Sequence, residues 1–313
     1  MKRFLNKVFR FTALLAAVNI ALVTLVPADE NSYLKEYLHK VRLLESTHGK
    51  RIIFVGGSSV AFGNDSKTIG DSLGMSVVNF GLHAGIGIKY PLEDCLAYVH
   101  KGDVVVIQME YANYFNGGNG EASTWALFMQ ATNWRRAHTL NSTQWQYVIR
   151  GVPRVAWGSL QRLVRYPLTG SLNLENAPDK FQYTRYGFNE WGDEVGHYKK
   201  APATILQSGR DIGDSDVDDE FMRWLKKCVS KFEAGGVKVV FLPPVCTRNY
   251  FRTAYSPKIE KAQLKIGKPF AASAQSMVLN DSCAFDGGYH VNHAGVRQNT
   301  QNIIQALKPI LNK

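Results

Sequence analysis

A serine, a carboxylate and an imidazole that can act together sit near opposite ends of this 313-residue chain. Ser58 ends the run Gly56-Gly57-Ser58, while Asp286 and His290 belong to Asp286-Gly287-Gly288-Tyr289-His290-Val291-Asn292-His293. A serine hydroxyl is a weak nucleophile at neutral pH and needs a base within hydrogen-bond reach. An imidazole supplies that base when a carboxylate holds its tautomer. Backbone N–H groups must then receive the charge that develops on the attacked carbonyl. The set points to acyl transfer through an acyl-enzyme. Each residue also has a structural reading: Ser58 as a helix cap, Asp286 as a turn residue before Gly287-Gly288, His290 as a packed histidine. His83 reads as site-lining or as packing, Tyr289 as packing beneath the site, and His293 as an exposed residue at a helix start. A metal-dependent alternative would recruit Asp286, His290, His293 and His83, because His-x-x-His can ligate zinc. No lysine is placed for a phosphate loop and no Gly-x-Gly-x-x-Gly occurs, so the leading reading includes no metal or other cofactor.

Chemistry drawn from such distant segments needs a scaffold that gathers strand ends. Four short apolar runs, at 51–55, 76–80, 103–108 and 237–242, alternate with segments of helical period at 66–73, 90–100 and 217–234. Each run is apolar throughout, as in strands covered on both faces. A fifth strand is expected near 276–279, a connecting helix over 31–46 and a C-terminal helix over about 294–311. The alternation predicts an α/β fold with a mainly parallel sheet and helices on both sides. Ligands of such sheets bind beyond the carboxyl ends of the strands. Ser58, the loop carrying Gly81, His83 and Gly85, then Glu110, and the Asp286–His290 segment would share that rim. The stretch 113–216, rich in Trp, Tyr, Asn and Gly, breaks the rhythm and reads as an insertion with helical sections near 123–130 and 144–164. It would cover the site, or pack Trp125, Trp145 and Trp157 into a small core of its own.

Hydrophobic residues make up 45% of the chain and charged residues 20%, which excludes a disordered chain, a coiled coil or a collagen-like repeat. At the N-terminus, Lys2, Arg3, Lys7 and Arg10 precede an uncharged apolar stretch at 11–28. Eighteen helical residues span about 27 Å, close to a bilayer core. The flanking charge places the N-terminus in the cytoplasm and residues 29–313 outside. The segment, residues 1–30, is a signal anchor or a signal peptide cut near Val26-Pro27-Ala28, and the proline beside that site favours the anchor. The protein is thus expected to be membrane-anchored and extracytoplasmic, or secreted if the leader is cleaved. Those four basic residues account for four of the net charge of +11, leaving +7, which suits an anionic surface or glycan. No basic run interleaves with aromatics, so nucleic acid is not an expected partner. Among the four cysteines none has metal-ligand spacing. In an oxidising compartment Cys246 and Cys283 are the first candidates for a disulfide, with Cys95 and Cys228 as buried thiols.

Four segments carry a resemblance: IFVGGSSVAFG at 53–63, VVNFGLHAG at 77–85, KGDVVVIQMEY at 101–111 and FDGGYHVNHAG at 285–295. They resemble the SGNH/GDSL hydrolase superfamily, more narrowly its members associated with bacterial cell-surface polysaccharide O-acylation. The resemblance implies a three-layer α/β/α fold with a flavodoxin-like sheet over residues 31–313. It also implies a serine esterase or O-acyltransferase acting on acyl esters, such as acetyl, of a cell-surface glycan, beside a membrane acyltransferase partner. By the matched positions Ser58 is the nucleophile, His290 the base and Asp286 its carboxylate. Gly85, with Gly81 as the second choice, would join Ser58 in the oxyanion hole, and Asn292 would cap the last helix. Three departures stand out. Gly57 replaces an aspartate of the first block, the Asp–His spacing is four rather than three, and the third-block asparagine is absent, with Met109-Glu110-Tyr111 in its place. A missing side-chain donor costs about 3 kcal/mol of transition-state stabilisation unless another group, such as Asn113, replaces it. Glu110 would place a carboxylate on the rim, repelling an oxyanion or orienting a polar substrate. These departures sustain a rival reading, a membrane-tethered accessory or glycan-binding component with weak catalysis.

Overall fold

A computed structural model describes residues 1–173, 183–200, 215–251 and 255–311. It opens with α1 (Lys2–Leu25), a helix long and apolar enough to cross a membrane, a test that a signal sequence also passes. Then follow α2 (Glu36–Ser46), β1 (Arg51–Gly56), α3 (Ser58–Gly63), α4 (Ser66–Leu73), β2 (Ser76–Asn79), α5 (Lys89–Cys95) and β3 (Val104–Gln108). The segment after β3 holds α6 (Ala122–Ala131), α7 (Ser142–Thr169) and α8 (Asp219–Ala234). The chain closes with β4 (Lys238–Phe241), β5 (Cys246–Thr247), α9 (Tyr255–Lys265), β6 (Val278–Leu279) and α10 (His293–Leu311).

The α/β expectation is met by a four-stranded parallel sheet in the order β2-β1-β3-β4. Side chains alternate across a strand, so continuous apolar runs serve two cores. Ile53, Val55, Val105 and Ile107 pack with Tyr37 and Val41 of α2, Leu92 of α5 and Phe232 of α8. Ile52, Phe54, Val104 and Val106 pack on the opposite side with Ile69 of α4 and with Ile303 and Leu307 of α10. At the amino end of β1, Arg51 is fully buried and paired with Asp103 at 2.6 Å. The same guanidinium donates to the carbonyls of Leu44 and Tyr98, tying α2 and the end of the α5 segment to the sheet.

Several expectations are corrected. The strand expected near 276–279 does not extend the main sheet; β6 pairs with β5 in a separate two-stranded parallel ladder, Cys246 opposite Val278 and Thr247 opposite Leu279. Pro243-Pro244 explain the break, since neither can donate to a ladder. The insertion does not pack a core from its three tryptophans: Trp125 is fully buried in the main core, while Trp145 and Trp157 are exposed. Helix α7 runs past its expected ends, begun by a reciprocal cap between Asn141 and Gln144 and stopped at Gly170, whose φ is 63°. Helix α9 falls where apolar spacing gives little helical signal. The expected Cys246–Cys283 bridge is absent. All four cysteines are free and buried. Cys246 packs in the core with Ile107, whereas Cys283 packs with Val245, Val291 and Val296.

Candidate active site

The Ser58 turn is built by close packing at the end of β1. A Cβ on Gly57 would lie 2.3 and 2.4 Å from the two carboxylate oxygens of Glu110, so a larger residue there would have to displace that side chain. Ser58 then opens α3, and its N–H has no partner among the described residues. One turn later Phe62 stacks on the His290 ring, with centroids 4.3 Å apart and planes 11° apart. The first block thus supplies both the hydroxyl and an apolar shelf for the base.

Asp286 and His290 sit in a tight loop. Ala284 and Val291 form an antiparallel bridge, and the Phe285 N–H donates to the His290 carbonyl at 2.8 Å. This closure is what permits a spacing of four. It presents His290 Nδ1 to Asp286 Oδ1 at 2.7 Å. A Cβ on Gly288 would strike the Tyr250 ring at about 2 Å, so the loop lies directly on that side chain. Asn292 donates to the carbonyls of Ser282 and Ala284 and accepts from the Gly295 N–H, which is the expected cap of α10.

Ser58, Asp286 and His290 line one open cavity of about 170 Å³, together with Tyr183, Tyr250 and Tyr289. Two segments more than two hundred residues apart therefore meet. No hydrogen bond joins the Ser58 hydroxyl to His290 among the described residues. With Nδ1 turned to Asp286, the tautomer that donates there leaves the lone pair on Nε2. Burial raises the Asp286 carboxyl, but the His290 hydrogen bond and charge, then the Tyr183 hydrogen bond, outweigh it and hold it below the ordinary carboxylate value.

Two of the three expected oxyanion donors have internal acceptors. The Gly85 N–H donates to His83 Nδ1 at 2.8 Å, and the Gly81 N–H donates to Asn79 Oδ1 at 3.0 Å. Both are turned to internal acceptors. Short polar side chains two residues before each glycine capture the N–H in a local turn, a competition the motif does not reveal. His83 is held neutral-leaning chiefly by burial, which lowers its basicity, and its accepting Nδ1 leaves the proton on Nε2. It is not among the residues lining the cavity. Asn113 is buried and donates to the Glu110 carbonyl at 3.2 Å, so it does not replace the absent asparagine. Glu110 is buried rather than exposed on the rim. One carboxylate oxygen accepts the Ser59 N–H at 3.0 Å, and the other has no partner among the described residues. Its carboxylate fills the space where a side chain on Gly57 would begin. Tyr289 is half-buried, packs against the core at the cavity wall and accepts the Tyr111 N–H at 3.1 Å. The ligands of the metal alternative do not converge: His293 stacks on Tyr198, His83 binds Gly85, and among the described residues no group of three or more such side chains could hold a metal ion.

Tyr183, Asn79 and His197 escape the sequence reading. Tyr183 comes from the insertion, adopts a left-handed backbone (φ 52°) and donates its hydroxyl to Asp286 Oδ2 while lying 3.1 Å from His290 Nδ1. Non-glycine residues rarely hold that conformation unless their surroundings over-determine it. Here Thr184 bridges Ser32, and the Tyr183 ring packs against Tyr33 and Phe62. Asn79 ties the β2 end to α3 through the Val60 carbonyl and to Asp193 of the insertion. His197 is fully buried, bonded to Glu194 and to the Val291 carbonyl, and packs between Phe62 and Phe285 under the candidate base. The aromatic richness of 113–216 was the available signal for Tyr183; Asn79 sits within the segment at 77–85 but was given no role there, and no motif marks His197.

No family model and no curated protein matches this chain. Among solved structures it is similar to one described as "a putative platelet activating factor from Streptococcus pneumonia", at 12% identity and a TM-score of 0.31, over 88% of this chain and 91% of that one. A similarity of that size carries no argument about fold or activity, so the functional reading rests on the geometry and the four resembling segments.

Proposed function

We propose that this protein is an exported serine esterase or O-acyltransferase of the SGNH type, with a three-layer α/β/α domain held at the membrane by α1. One observation carries the reading: Ser58, His290 and Asp286 line the same cavity, with the imidazole bonded to the carboxylate through Nδ1. Ser58 Oγ attacks the acyl carbonyl, and His290 Nε2 takes its proton. Asp286 orients the ring and stabilises the imidazolium. The Ser58 N–H, unpartnered at the start of α3, receives the developing oxyanion. The acyl group passes to Ser58, and the alcohol leaves with the proton from His290. Water or a sugar hydroxyl then accepts the acyl group. The substrate class, acyl esters of a cell-surface glycan, and a membrane acyltransferase partner follow from the resemblance and from export.

The full chain in detergent should hydrolyse p-nitrophenyl acetate and react covalently with a fluorophosphonate probe. Ser58→Ala should lose both. Equal turnover by the two proteins sinks the serine mechanism. A second reading, the weakly catalytic accessory component, is favoured by the internal engagement of the Gly81 and Gly85 N–H groups and by the unjoined Ser58 hydroxyl. Binding of acylated glycan without turnover by the unaltered chain would select it.

A further inference from the structure

Helix α7 carries more exposed apolar surface than a soluble domain helix needs. Ile149, Trp157, Leu160, Val164 and Leu168 are exposed, Val164 at 67% and Leu168 at 89%. At 100° per residue they fall on one face, beside the buried stripe of Val148, Val155, Ser159 and Arg162. Along their flank run Arg150, Arg154 and Arg165, and the 28 residues include no acidic side chain. Trp157, Leu160, Val164 and Arg165 border an open apolar hollow of about 320 Å³.

What covers this face is indicated by α1. Its last turn is the part that docks: Val23 packs with Val155 and Ala156 of α7. Gln130 of α6 donates to the Val26 carbonyl at 3.1 Å, and Arg162 of α7 donates to the Pro27 carbonyl at 2.7 Å. Asn19, Ala21 and Leu22 beside Val23 are half-buried, and residues 1–18 of α1 are exposed. Its 24 residues span about 36 Å, somewhat more than a bilayer core of about 30 Å. A spanning α1 therefore ends at the headgroup level of the outer leaflet, and α7 is fixed to that end. An arginine-flanked helix with a tryptophan and aliphatic residues on its exposed face is the form that lies in the boundary between headgroups and acyl chains.

We propose that α7 is a second membrane-contacting element, lying in the outer interface beside α1 and binding an anionic lipid surface. This rests on the anchor reading of α1 given above. The chain from Pro27 then runs directly to the site: Ser32 bridges Thr184, and Tyr33 donates to the Leu82 carbonyl at 2.6 Å while packing against Tyr183. The candidate cavity is thereby held close to the bilayer, facing substrates displayed at the membrane rather than free in solution.

The test uses the full chain in nanodiscs of mixed phosphatidylcholine and phosphatidylglycerol. Trp157 emission is isolated as the difference between the unaltered chain and Trp157→Phe. Lipids brominated near the headgroup end of the acyl chain should abolish that component, and acrylamide should leave it largely intact. Leu160→Glu with Val164→Glu, both exposed positions, should reverse both results without altering near-ultraviolet circular dichroism. Resistance of the liposome-reconstituted chain to alkaline carbonate reads the anchor separately. Release by carbonate overturns the anchor and this inference together. Retention with an acrylamide-exposed, bromine-insensitive Trp157 overturns the inference alone. Protection from both quenchers overturns it in favour of a second copy of the chain on that face.

Discussion

The glycine before the candidate nucleophile and the carboxylate packed against it should be energetically coupled. In Gly57→Ala the new Cβ would lie 2.3 and 2.4 Å from the Glu110 oxygens and 2.7 Å from Cδ, about 1 Å inside ordinary contact. Glu110 cannot yield freely, because its oxygen holds the Ser59 N–H at 3.0 Å and the side chain is 3% exposed. Overpacking costs about 1–3 kcal/mol, and loosening a hydrogen bond to a charged group adds about 1.5–3 kcal/mol. Gly57→Ala should therefore destabilise by roughly 2–4 kcal/mol, allowing for partial relaxation. Glu110→Ala alone strands the Ser59 N–H, at about 1–3 kcal/mol, but relieves a buried oxygen that has no partner among the described residues. In the double variant the clash is gone, so the combined loss should fall short of the sum by about 1–3 kcal/mol. Urea unfolding of the four full-length proteins in one detergent, followed by near-ultraviolet circular dichroism, reads the cycle. Additivity within about 0.5 kcal/mol would refute the close packing of these two residues.

Other outcomes follow from the same contacts. Tyr183→Phe removes a hydrogen bond to ionised Asp286, so this carboxyl should titrate closer to its ordinary value in carbon-13 spectra; an unchanged titration removes Tyr183 from the site. Asp286→Asn should lower ester turnover by about 10⁴-fold, as when the orienting carboxylate of such a relay is lost. Because the Asp286 pKa is depressed in the fold, its stabilisation is present above the ordinary carboxylate value and is lost as pH falls through the folded value. The Asn variant should lack that component of acid sensitivity. Lys40, buried and bonded to the carbonyls of Asn79 and Gly192, is lowered to about 8 by burial. The unfolded chain keeps its proton up to the ordinary lysine value, so stability should rise as pH increases from about 8 toward that value. In Lys40→Met that rise should vanish, as followed by unfolding midpoints across the range.

What the sequence determined by itself was local or periodic. Apolar runs at 51–55, 76–80, 103–108 and 237–242 specified four parallel strands because a strand covered on both faces has no polar side to show. Ser58 and the Asp286–His290 pair were legible because their chemistry is written in side-chain type and short spacing. Their meeting in one cavity was decided by the tertiary structure. Hydrogen bonds of Asn299 and Thr300 of α10 with Gly63 and Asp65, together with Phe62 stacked on His290, brought the segment after β1 to a loop more than two hundred residues away, and the Phe285–His290 backbone closure aimed the ring. Donor direction was likewise invisible. Whether the Gly81 and Gly85 N–H groups face a substrate or a neighbouring side chain depends on backbone rotation at single residues, which residue identity does not set. Glu110 shows the same limit: its position after β3 was plain, but whether its carboxylate faced solvent or filled the gap beside Gly57 was settled only by packing across two strands. Tyr183, drawn from the insertion into contact with Asp286, depends on the Ser32–Thr184 bridge, a pairing across some 150 residues that no short-range pattern encodes.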